Sequence, residues 1–413
     1  MKRFFISILI SIPFISVAQF KNVELPSSDG EVSSGVAISQ KETSNITISS
    51  SSGKMYFTED SGTSWSSSSL GKAANSSTVA ADKKGDFYAI MQDGEQLITY
   101  KAKAPGKEWE EEGIQNFEGM TDFCFVSHLD KGDLGLTVLQ GKKDGECTVA
   151  VKYYDGNGKK WSDPLEVTSV KGECAEVESS IKGSSLAYGN EDQVYAVWLK
   201  NGGKICMDRS YDKGKTWLRN DIPATDQVGG SDLNIDGVSN WTNTPVLKVD
   251  RSATQYRGSL YMAWTDMRGG ADNADVYFIS TRNRGDYWSV PVIVNTDQSG
   301  KHQFMPAVAS DATTGIIYVL FYDRRDSDNN TTDVYIGYSI DGGNSFINKK
   351  VSEKPIDMSN DQSCGLDLAA HEGVIVATWT GISDGKTKIM ASVMTQQELV
   401  PEIKTASGKK KKK

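Results

Sequence analysis

The sequence predicts an all-β chain built from repeated four-stranded antiparallel units. Segments that alternate apolar and polar residues, rich in Val, Ile and Tyr, follow one another with no helical segment between them. The 39 glycines, together with many Ser, Asp and Asn residues, supply tight turns between these segments. Aromatic residues end one such turn at positions 65, 109, 161, 217, 288 and 346, at separations of 44, 52, 56, 71 and 58 residues. A repeat of this size predicts a β-propeller in which each blade has four strands.

The clearest repeats are "GSLYMAWTDMRGGADNADVYFISTRNRGDYWS" from Gly258 and "GIIYVLFYDRRDSDNNTTDVYIGYSIDGGNSF" from Gly315. Each has an apolar strand, then Asp-x-Arg or Asp-Arg-Arg, then a polar loop. Asp-Val-Tyr and a second strand follow, and a glycine turn with an aromatic residue ends the copy. A weaker copy begins at Val194.

The number of blades depends on the two ends of the repeat region. The last copy has three strands, 365–370, 374–380 and 388–395, and lacks the Asp turn. The segment "FKNVELP" from Phe20 resembles the outermost strand of other units and is expected to complete this blade. It would thereby close the ring and remove its free sheet edges. This count gives seven blades, or six if the Ser-rich unit at residues 36–70 is not a blade.

The extreme ends are predicted to lie outside the propeller, which we assign to residues 19–400. The basic Met1–Arg3 and the apolar run that follows are typical of a secretory signal peptide (residues 1–18), cleaved after Ala18. The run is shorter than the ~20 apolar residues that span a bilayer. We therefore expect a secreted, periplasmic or cell-surface protein without a transmembrane segment. Residues 401–413, which end in Lys409–Lys413, are expected to be a disordered tail.

Charge and composition exclude some functions. The net charge of −9, from 45 basic and 54 acidic residues, argues against nucleic-acid binding, which requires a basic face. Apart from Arg3, every arginine lies at or beyond Arg209, so anion binding is expected in the C-terminal half. Five cysteines are too few for a disulfide framework, and their pairing stays open. Three histidines without ligand-like spacing predict no zinc site.

The recurrent turn has the pattern Ser/Thr-x-Asp-x-Gly-x-Thr/Ser-Trp/Phe, with its aspartate at Asp60, Asp212 and Asp341 and degenerate copies at Asp155 and Asn283. The carboxylate is expected to accept hydrogen bonds from its own turn, and the glycine to supply a positive φ, so the role is structural. This pattern resembles the Asp-box (BNR) repeat of the sialidase superfamily. The resemblance extends over nearly the whole mature chain and implies a sialidase-like propeller, without implying sialidase activity.

The resemblance also implies which face carries a site. With strands A to D counted outward from the axis, the Asp turns join C to D, and superfamily enzymes keep their active sites on the opposite face. The catalytic candidates there are Asp266, Asp323 and Tyr322. The ligand-binding candidates are Arg268, Arg324, Arg325, Trp264, Trp241, His302, Gln303 and Trp379. Arginines beside aromatic and acidic groups in a cleft suit a carboxylate, a sulfate or sugar hydroxyls.

Two structural alternatives accompany this assignment. Each Asp–Arg pair could instead close its own loop through a salt bridge that is repeated from blade to blade. The acidic loop with Asp323, Asp326, Asp328 and Asp333 could bind Ca²⁺ through oxygen ligands, or could contain only turn-forming residues.

Two hypotheses for function follow. The first is a glycan-directed, sialidase-like glycoside hydrolase in which Asp266 or Asp323 is the acid/base and Tyr322 is the nearest candidate for a nucleophile. The resemblance implies three arginines, a Tyr–Glu pair and an aspartate for such an enzyme. However, the Phe/Tyr-Arg-Ile-Pro motif of the first blade is absent. The second hypothesis is therefore a non-catalytic propeller that binds a glycan, another anionic ligand or a protein.

Overall fold

The computed structural model describes residues 20–401 except 72–73, 128–131, 142–144, 157–159, 170, 174–180, 201–202, 219, 232, 240, 242, 328 and 360–361. The predicted signal peptide and lysine tail lie outside the described residues. The described chain is an all-β propeller of seven antiparallel blades, which confirms the predicted fold and the larger of the two blade counts.

The strands follow the chain in this order. Strand β1 (Val23–Glu24) precedes blade one, which contains β2 (Ser33–Ile38), β3 (Ile46–Ser50), β4 (Lys54–Thr58) and β5 (Ser66–Ser69). Blade two contains β6 (Ser76–Ala81), β7 (Phe87–Asp93), β8 (Gln96–Ala102) and β9 (Glu110–Asn116). Blade three contains β10 (Met120–Ser127), β11 (Leu134–Gly141), β12 (Glu146–Asp155) and three short strands on β12, namely β13 (Lys160–Trp161), β14 (Leu165–Glu166) and β15 (Gly172–Glu173). Blade four contains β16 (Ile181–Tyr188), β17 (Val194–Lys200), β18 (Lys204–Ser210) and β19 (Ile222–Asp226).

The remaining strands form the half of the ring that carries the candidate site residues. After β20 (Val238–Ser239), blade five contains β21 (Val246–Val249), β22 (Leu260–Asp266), β23 (Asp275–Thr281) and β24 (Val292–Ile293). Blade six contains β25 (Gln303–Ser310), β26 (Ile317–Asp323), β27 (Thr331–Ser339), β28 (Ile347–Lys350) and the short β29 (Ile356–Asp357). After β30 (Gln362–Ser363), blade seven contains β31 (Leu366–His371), β32 (Val374–Ser383) and β33 (Lys386–Thr395), and helix α1 (Gln396–Leu399) follows.

The first strand of each blade faces the central axis. Strands β2, β6, β10, β16, β21, β25 and β31 each pack against the next one, and β31 packs against β2, so the contacts close a ring. They surround a channel of about 250 Å³ lined largely by Ala and Val. The second and third strands of a blade are covered on both faces by neighbouring blades. Strands β22 and β26 are therefore buried at every position, and their apolar runs are nearly continuous.

The N-terminal strand closes the ring, as predicted. β1 pairs antiparallel with β33, where Val23 lies opposite Ala391. Leu25 follows this strand, donates its amide to the carbonyl of Ile389 at 2.9 Å and is 1% exposed. Blade seven therefore combines three C-terminal strands with one strand from the start of the described chain.

The Asp turns have the predicted hydrogen bonding. Oδ1 of Asp60, Asp212 and Asp341 accepts from the backbone N–H four residues later, at 2.9, 2.8 and 3.1 Å. The hydroxyl of that later residue donates to the other carboxylate oxygen at 2.6–2.7 Å in all three turns. The turn glycine has a positive φ, for example 81° at Gly62. These carboxylates thus stabilise their hairpins.

A long crossover between blades four and five, residues 227–245, lies across the face opposite the Asp turns. Its β20 pairs in parallel with β30, from the crossover into blade seven. Gly237 permits close packing here, because a Cβ atom would meet the carbonyl oxygen of Met358 at 1.8 Å. Ile235, 1% exposed, joins the core formed by blades six and seven. This crossover therefore covers part of the face on which the sequence placed the site.

No helix in the described part of the chain is long and apolar enough to cross a membrane. Cys147 is disulfide-bonded, whereas Cys124, Cys206 and Cys364 are thiols.

Candidate functional site

The Asp–Arg motifs of blades five and six form closed pairs at the ends of β22 and β26. Asp266 accepts from Nε and Nη2 of Arg268 at 2.9 and 2.8 Å. Asp323 accepts from Nε of Arg325 at 2.8 Å and lies 2.6 Å from its Nη2. The side chains of both aspartates are 0% exposed. The Asp266 pair is bidentate, whereas both nitrogens of Arg325 approach Oδ2 of Asp323. Both pairs turn a predicted acid/base candidate inward, toward its own loop.

The two pairs are copies of one device. Arg268 lies over the ring of Tyr277 at 4.4 Å, and Arg325 lies over Tyr335 at 4.2 Å. Each tyrosine occupies the same position on the third strand of its blade. The repetition supports the interpretation that these arginines close their loops and stack on their blades.

The pairs differ in their effect on the carboxyl groups. Burial alone would raise the pKa of Asp266, but hydrogen bonds from Arg268 and Trp264 outweigh it and lower that pKa. Burial raises the pKa of Asp323 above its ordinary value despite the hydrogen bond and charge of Arg325. Neither carboxyl is open to solvent, which is a correction to their predicted placement in an accessible cleft.

Three aromatic candidates lie within the blades instead of in loops. Tyr322 is 0% exposed, and its hydroxyl donates to the carbonyls of Gly365 and Thr380 at 3.0 Å. Trp264 is 0% exposed and donates to Asp266, while Trp379 is 2% exposed. The second strand of a blade buries its large side chains against the next blade, and this strand position places all three in the core. The structure therefore leaves Tyr322 no surface from which to attack a substrate.

Three further candidates hold the 227–245 crossover and its surroundings. Arg324, 4% exposed, donates to the carbonyl of Asp236 at 2.6 Å and to Thr332 at 3.0 Å. His302 accepts through Nδ1 from the amide of Ala274, and burial and the charge of Arg324 lower its pKa. Trp241 packs against Phe304 with ring centroids 6.1 Å apart. These three contacts are structural.

The proposed Ca²⁺ ligands are separated by their partners. Asp326 accepts from the hydroxyl of Tyr335 at 2.7 Å, and Asp333 from Lys350 at 2.7 Å, while Asp323 is held by Arg325. Asp328 lies outside the described residues. No group of three or more His, Cys, Asp or Glu within the described ranges is arranged to hold a metal ion. Calcium binding at these positions stays a prediction.

A different set of polar side chains opens onto the same face, in a groove of about 400 Å³ between blades five and six. We call it the carboxylate groove, and it is lined by Asn273, Asp275, Ile293, Asn295, Thr296, Asp297, Gln298 and Gly300. Asn295 Nδ2 donates to Asp275 Oδ1 at 2.8 Å and to Asp297 Oδ1 at 3.1 Å. These two carboxylate oxygens are therefore no more than about 6 Å apart. The predicted Gln303 lies behind the groove and donates to Asp323 at 3.2 Å.

Comparison with blade six shows that this groove departs from the repeat. Asp275 and Asp333 begin the third strands of their blades, each opposite the aspartate of the Asp–Arg pair. In blade six, Lys350 neutralises Asp333 at 2.7 Å. The position of Lys350 opposite Tyr335 corresponds in blade five to Ile293, opposite Tyr277.

The next two alternate positions of the crossover differ as well. Asn295 takes the place of Ser352, since each donates to the aspartate and accepts from the next backbone amide. Asp297 then stands where blade six has Lys354. Blade five therefore replaces two lysines by an isoleucine and an aspartate, and leaves Asp275 without the cation that its counterpart has.

The environments of the two groove carboxyls push their pKa values apart. Burial raises the pKa of Asp275, with the hydrogen bond from Asn295 opposing it and the charge of Asp297 adding to it. Burial would also raise the pKa of Asp297, but hydrogen bonds from Ser299 and Asn295 outweigh it and lower that pKa. Such a split suits one proton-donating and one proton-accepting carboxyl.

Sequence reasoning missed Asp275 and Asp297, although the signal was present. Alignment of the two quoted repeats through their Asp-Val-Tyr motifs places Asp275 beside Asp333. The match of Ile293 with Lys350 needs a one-residue gap after the turn and is seen only in the strand pairing. The sequence also predicted no Tyr–Glu pair, whereas in the structure Tyr56 donates to Glu31 beside blade one. Tyr56 is 0% exposed, and its hydroxyl is enclosed by the blade.

Comparison with known proteins supports the fold. No protein-family profile matches the sequence, and no curated protein resembles it in sequence. A polysaccharide lyase of family PL25, an ulvan lyase, is similar in structure at a TM-score of 0.56 and 12% identity, covering 91% of this chain and 96% of that one. YCF48 bound to the D1 peptide has a TM-score of 0.51 at 12% identity, covering 93% and 98%. An α-L-arabinofuranosidase from Fusarium graminearum has a TM-score of 0.50 at 14% identity, covering 78% and 93%. At these identities the likeness is one of fold alone.

Proposed function

We propose that this chain is a glycan-directed propeller whose carbohydrate site is the carboxylate groove. The observation that carries the proposal is the replacement of Lys350 by Ile293 at this groove, which leaves Asp275 without the cation of its counterpart, whereas Asp297 lies 3.5 Å from Nη2 of Arg325. A repeated structural device would retain its counterion, since an unpaired buried carboxylate is costly. The departure is therefore best explained by a ligand.

The lining of the groove suits a sugar. Carboxylate and amide side chains present acceptors and donors in alternation, which is the pattern that vicinal hydroxyl groups require. Two of the similar propellers named above, the ulvan lyase and the arabinofuranosidase, act on glycans, and the ulvan lyase has also been solved with a GlcA–Rha3S saccharide. YCF48 binds a peptide on the same fold, so the groove, and not the fold, supports the glycan assignment.

The carboxyl pair favours a second, more specific function, which is glycoside hydrolysis. Asp275, with its raised pKa, would protonate the leaving oxygen. The ionised Asp297 would be the nucleophile on the other side of the bond. The upper bound of about 6 Å on the separation of their bonded oxygens is compatible with the ~5.5 Å of retaining glycosidases and lies below the ~6.5–9.5 Å of inverting ones. A sialidase-like version would also need free arginines on this face. Arg268, Arg324 and Arg325 are already engaged, so we do not extend the proposal to sialic acid.

Binding is tested by titrating the purified chain with a panel of neutral and uronate-bearing oligosaccharides. We expect Asp275→Asn and Asp297→Asn to weaken binding at least about tenfold. The matched control is Asp333→Asn, which changes the same strand position in blade six and should leave affinity within about twofold. Equal affinity in all three variants would refute the site.

Hydrolysis is tested with the same panel by measuring reducing ends. Turnover that disappears in Asp275→Asn and Asp297→Asn, but persists in Asp333→Asn, supports the acid/base pair. Binding without turnover on every substrate would leave the non-catalytic propeller as the function.

A further inference from the structure

A second groove lies on the opposite face, where the Asp turns of blades five and six meet. It has a volume of about 630 Å³, and its lining includes Gln255, Tyr256, Arg282, Asn283, Tyr287 and Asn344. We call it the arginine groove. No residue of the carboxylate groove contributes to it, and the function proposed above does not use it.

The Asp turn of blade five keeps the backbone hydrogen bond of the others, from the amide of Tyr287 to Asn283 Oδ1 at 3.1 Å, but lacks their side-chain hydroxyl bond. Asn283 replaces the aspartate, and Tyr287 stands where the other turns have Ser64, Thr216 or Ser345. Those hydroxyls donate to their aspartate, whereas the side chain of Tyr287 is turned outward and the residue is 80% exposed. The turn thus lacks the hydroxyl-to-carboxylate hydrogen bond and instead exposes the ring of Tyr287 to solvent.

The cation in this groove has no acidic partner. Arg282 lies over the ring of Tyr256 at 4.7 Å and makes no hydrogen bond or ion pair with any residue the structure describes. The side chain of Arg284, two residues later, lies over Tyr211 at 5.5 Å, while its backbone carbonyl accepts from Arg209. Both arginines are exposed, on a chain whose net charge is −9. Their charge is therefore available to an anion.

These features indicate the chemistry of the ligand. A guanidinium that lies over a tyrosine ring keeps its N–H donors free for a carboxylate or sulfate. The exposed ring of Tyr287 offers a flat apolar surface, and the amides of Gln255 and Asn344 can pair with hydroxyl groups. An acidic peptide would use the cations but not the aromatic surface or both amides. The combination favours a sugar that carries a negative charge.

We propose that the arginine groove is a binding site for an anionic glycan, on the face opposite the carboxylate groove. Arg282 contacts the carboxylate or sulfate, and the ring of Tyr287 stacks on a sugar ring. A glycan bound in the arginine groove stays attached to the protein whether or not the carboxylate groove is occupied.

The test titrates the full chain with a heparin-derived oligosaccharide, with an oligogalacturonate and with a neutral malto-oligosaccharide of equal length. We expect binding of at least one anionic probe and not of the neutral one. Arg282→Ala should weaken that binding about tenfold, which is the loss of one charge-assisted contact. Tyr287→Ser, which restores the residue type of the other turns, should weaken it about fivefold.

Controls separate this site from general charge attraction and from the carboxylate groove. Lys215→Ala removes an exposed cation from the blade-four turn on the same face and should change affinity less than about twofold. Asp275→Asn should leave this binding unchanged. Unaltered affinity in both Arg282→Ala and Tyr287→Ser would overturn the proposal. So would equal competition by polyglutamate, which would indicate an acidic peptide as the ligand.

Discussion

Asp275 and Asp333 occupy the same position in neighbouring blades, yet only Asp333 has a lysine partner. Lys350 pairs with Asp333, and Ile293, which is 44% exposed, stands in its place beside Asp275. This replacement leaves Asp275, which is 8% exposed, without an ion-pair partner among the described residues.

Ile293→Lys is expected to restore the blade-six arrangement. The new ammonium group should lower the pKa of Asp275 and compete with any ligand of the carboxylate groove, so affinity should fall about tenfold or more. Stability should change by less than about 1 kcal/mol because the site is partly exposed.

Ligand titration and thermal unfolding measure these two effects. The control is Ile347→Lys, at an exposed position of β28, which should not alter binding. Unchanged affinity in Ile293→Lys would contradict the role given to the missing lysine.

Arg325 is predicted to matter for stability. Arg325→Ala would leave Asp323 buried and uncompensated, which should cost about 3–5 kcal/mol in the free energy of unfolding. Urea denaturation measures the loss, and Arg257→Ala, an exposed arginine bonded only to carbonyl groups, should cost less than about 1 kcal/mol. A small effect for Arg325→Ala would indicate that water or another group solvates Asp323.

At the scale of the element, the Asp turns predict how the hairpins respond to acid. Hydrogen bonds from Ser64 and Thr58 lower the pKa of Asp60 from 3.8 to about 2, and those in the other two turns likewise outweigh burial and lower the pKa of Asp212 and Asp341. The folded state therefore favours the ionised form. The stabilisation is complete above pH 3.8 and is lost as the pH falls toward about 2.

Melting temperature measured between pH 5 and pH 2 tests this expectation. The wild-type curve should fall toward low pH, and Asp60→Asn should start lower and fall less steeply, because one titrating group is gone. Parallel curves would mean that Asp60 does not titrate differently in the folded chain.

At the scale of the whole molecule, ring closure depends on the short segment around β1. Leu25→Ala removes a fully buried side chain that lies next to Ile389 and should cost about 2–5 kcal/mol. Leu218→Ala, at a position 43% exposed, is the matched control and should cost less than about 1 kcal/mol. A loss below 1 kcal/mol for Leu25→Ala would show that the seventh blade is stable without this contact.

The sequence predicted the fold more fully than the site, and the reason is physical. The Asp turns, the strand alternation and the completion of blade seven by the segment from Phe20 are local or repeated signals, and each was readable. Asp266 and Arg268 were also correctly placed at one strand end, but whether they face a cleft or each other depends on packing between blades. The burial of Tyr322 and Trp379 followed from their position on a second strand.

The closure of blade seven also sets an order of assembly. Strand β1 is translated before any of its partners, and β33, to which it pairs, is the last strand of the chain. During synthesis β1 therefore has no pairing partner until the strands of the other six blades and β33 have been made. The ring can therefore close only after residues 386–395 have been made, which places the completion of blade seven after the synthesis of the other six blades.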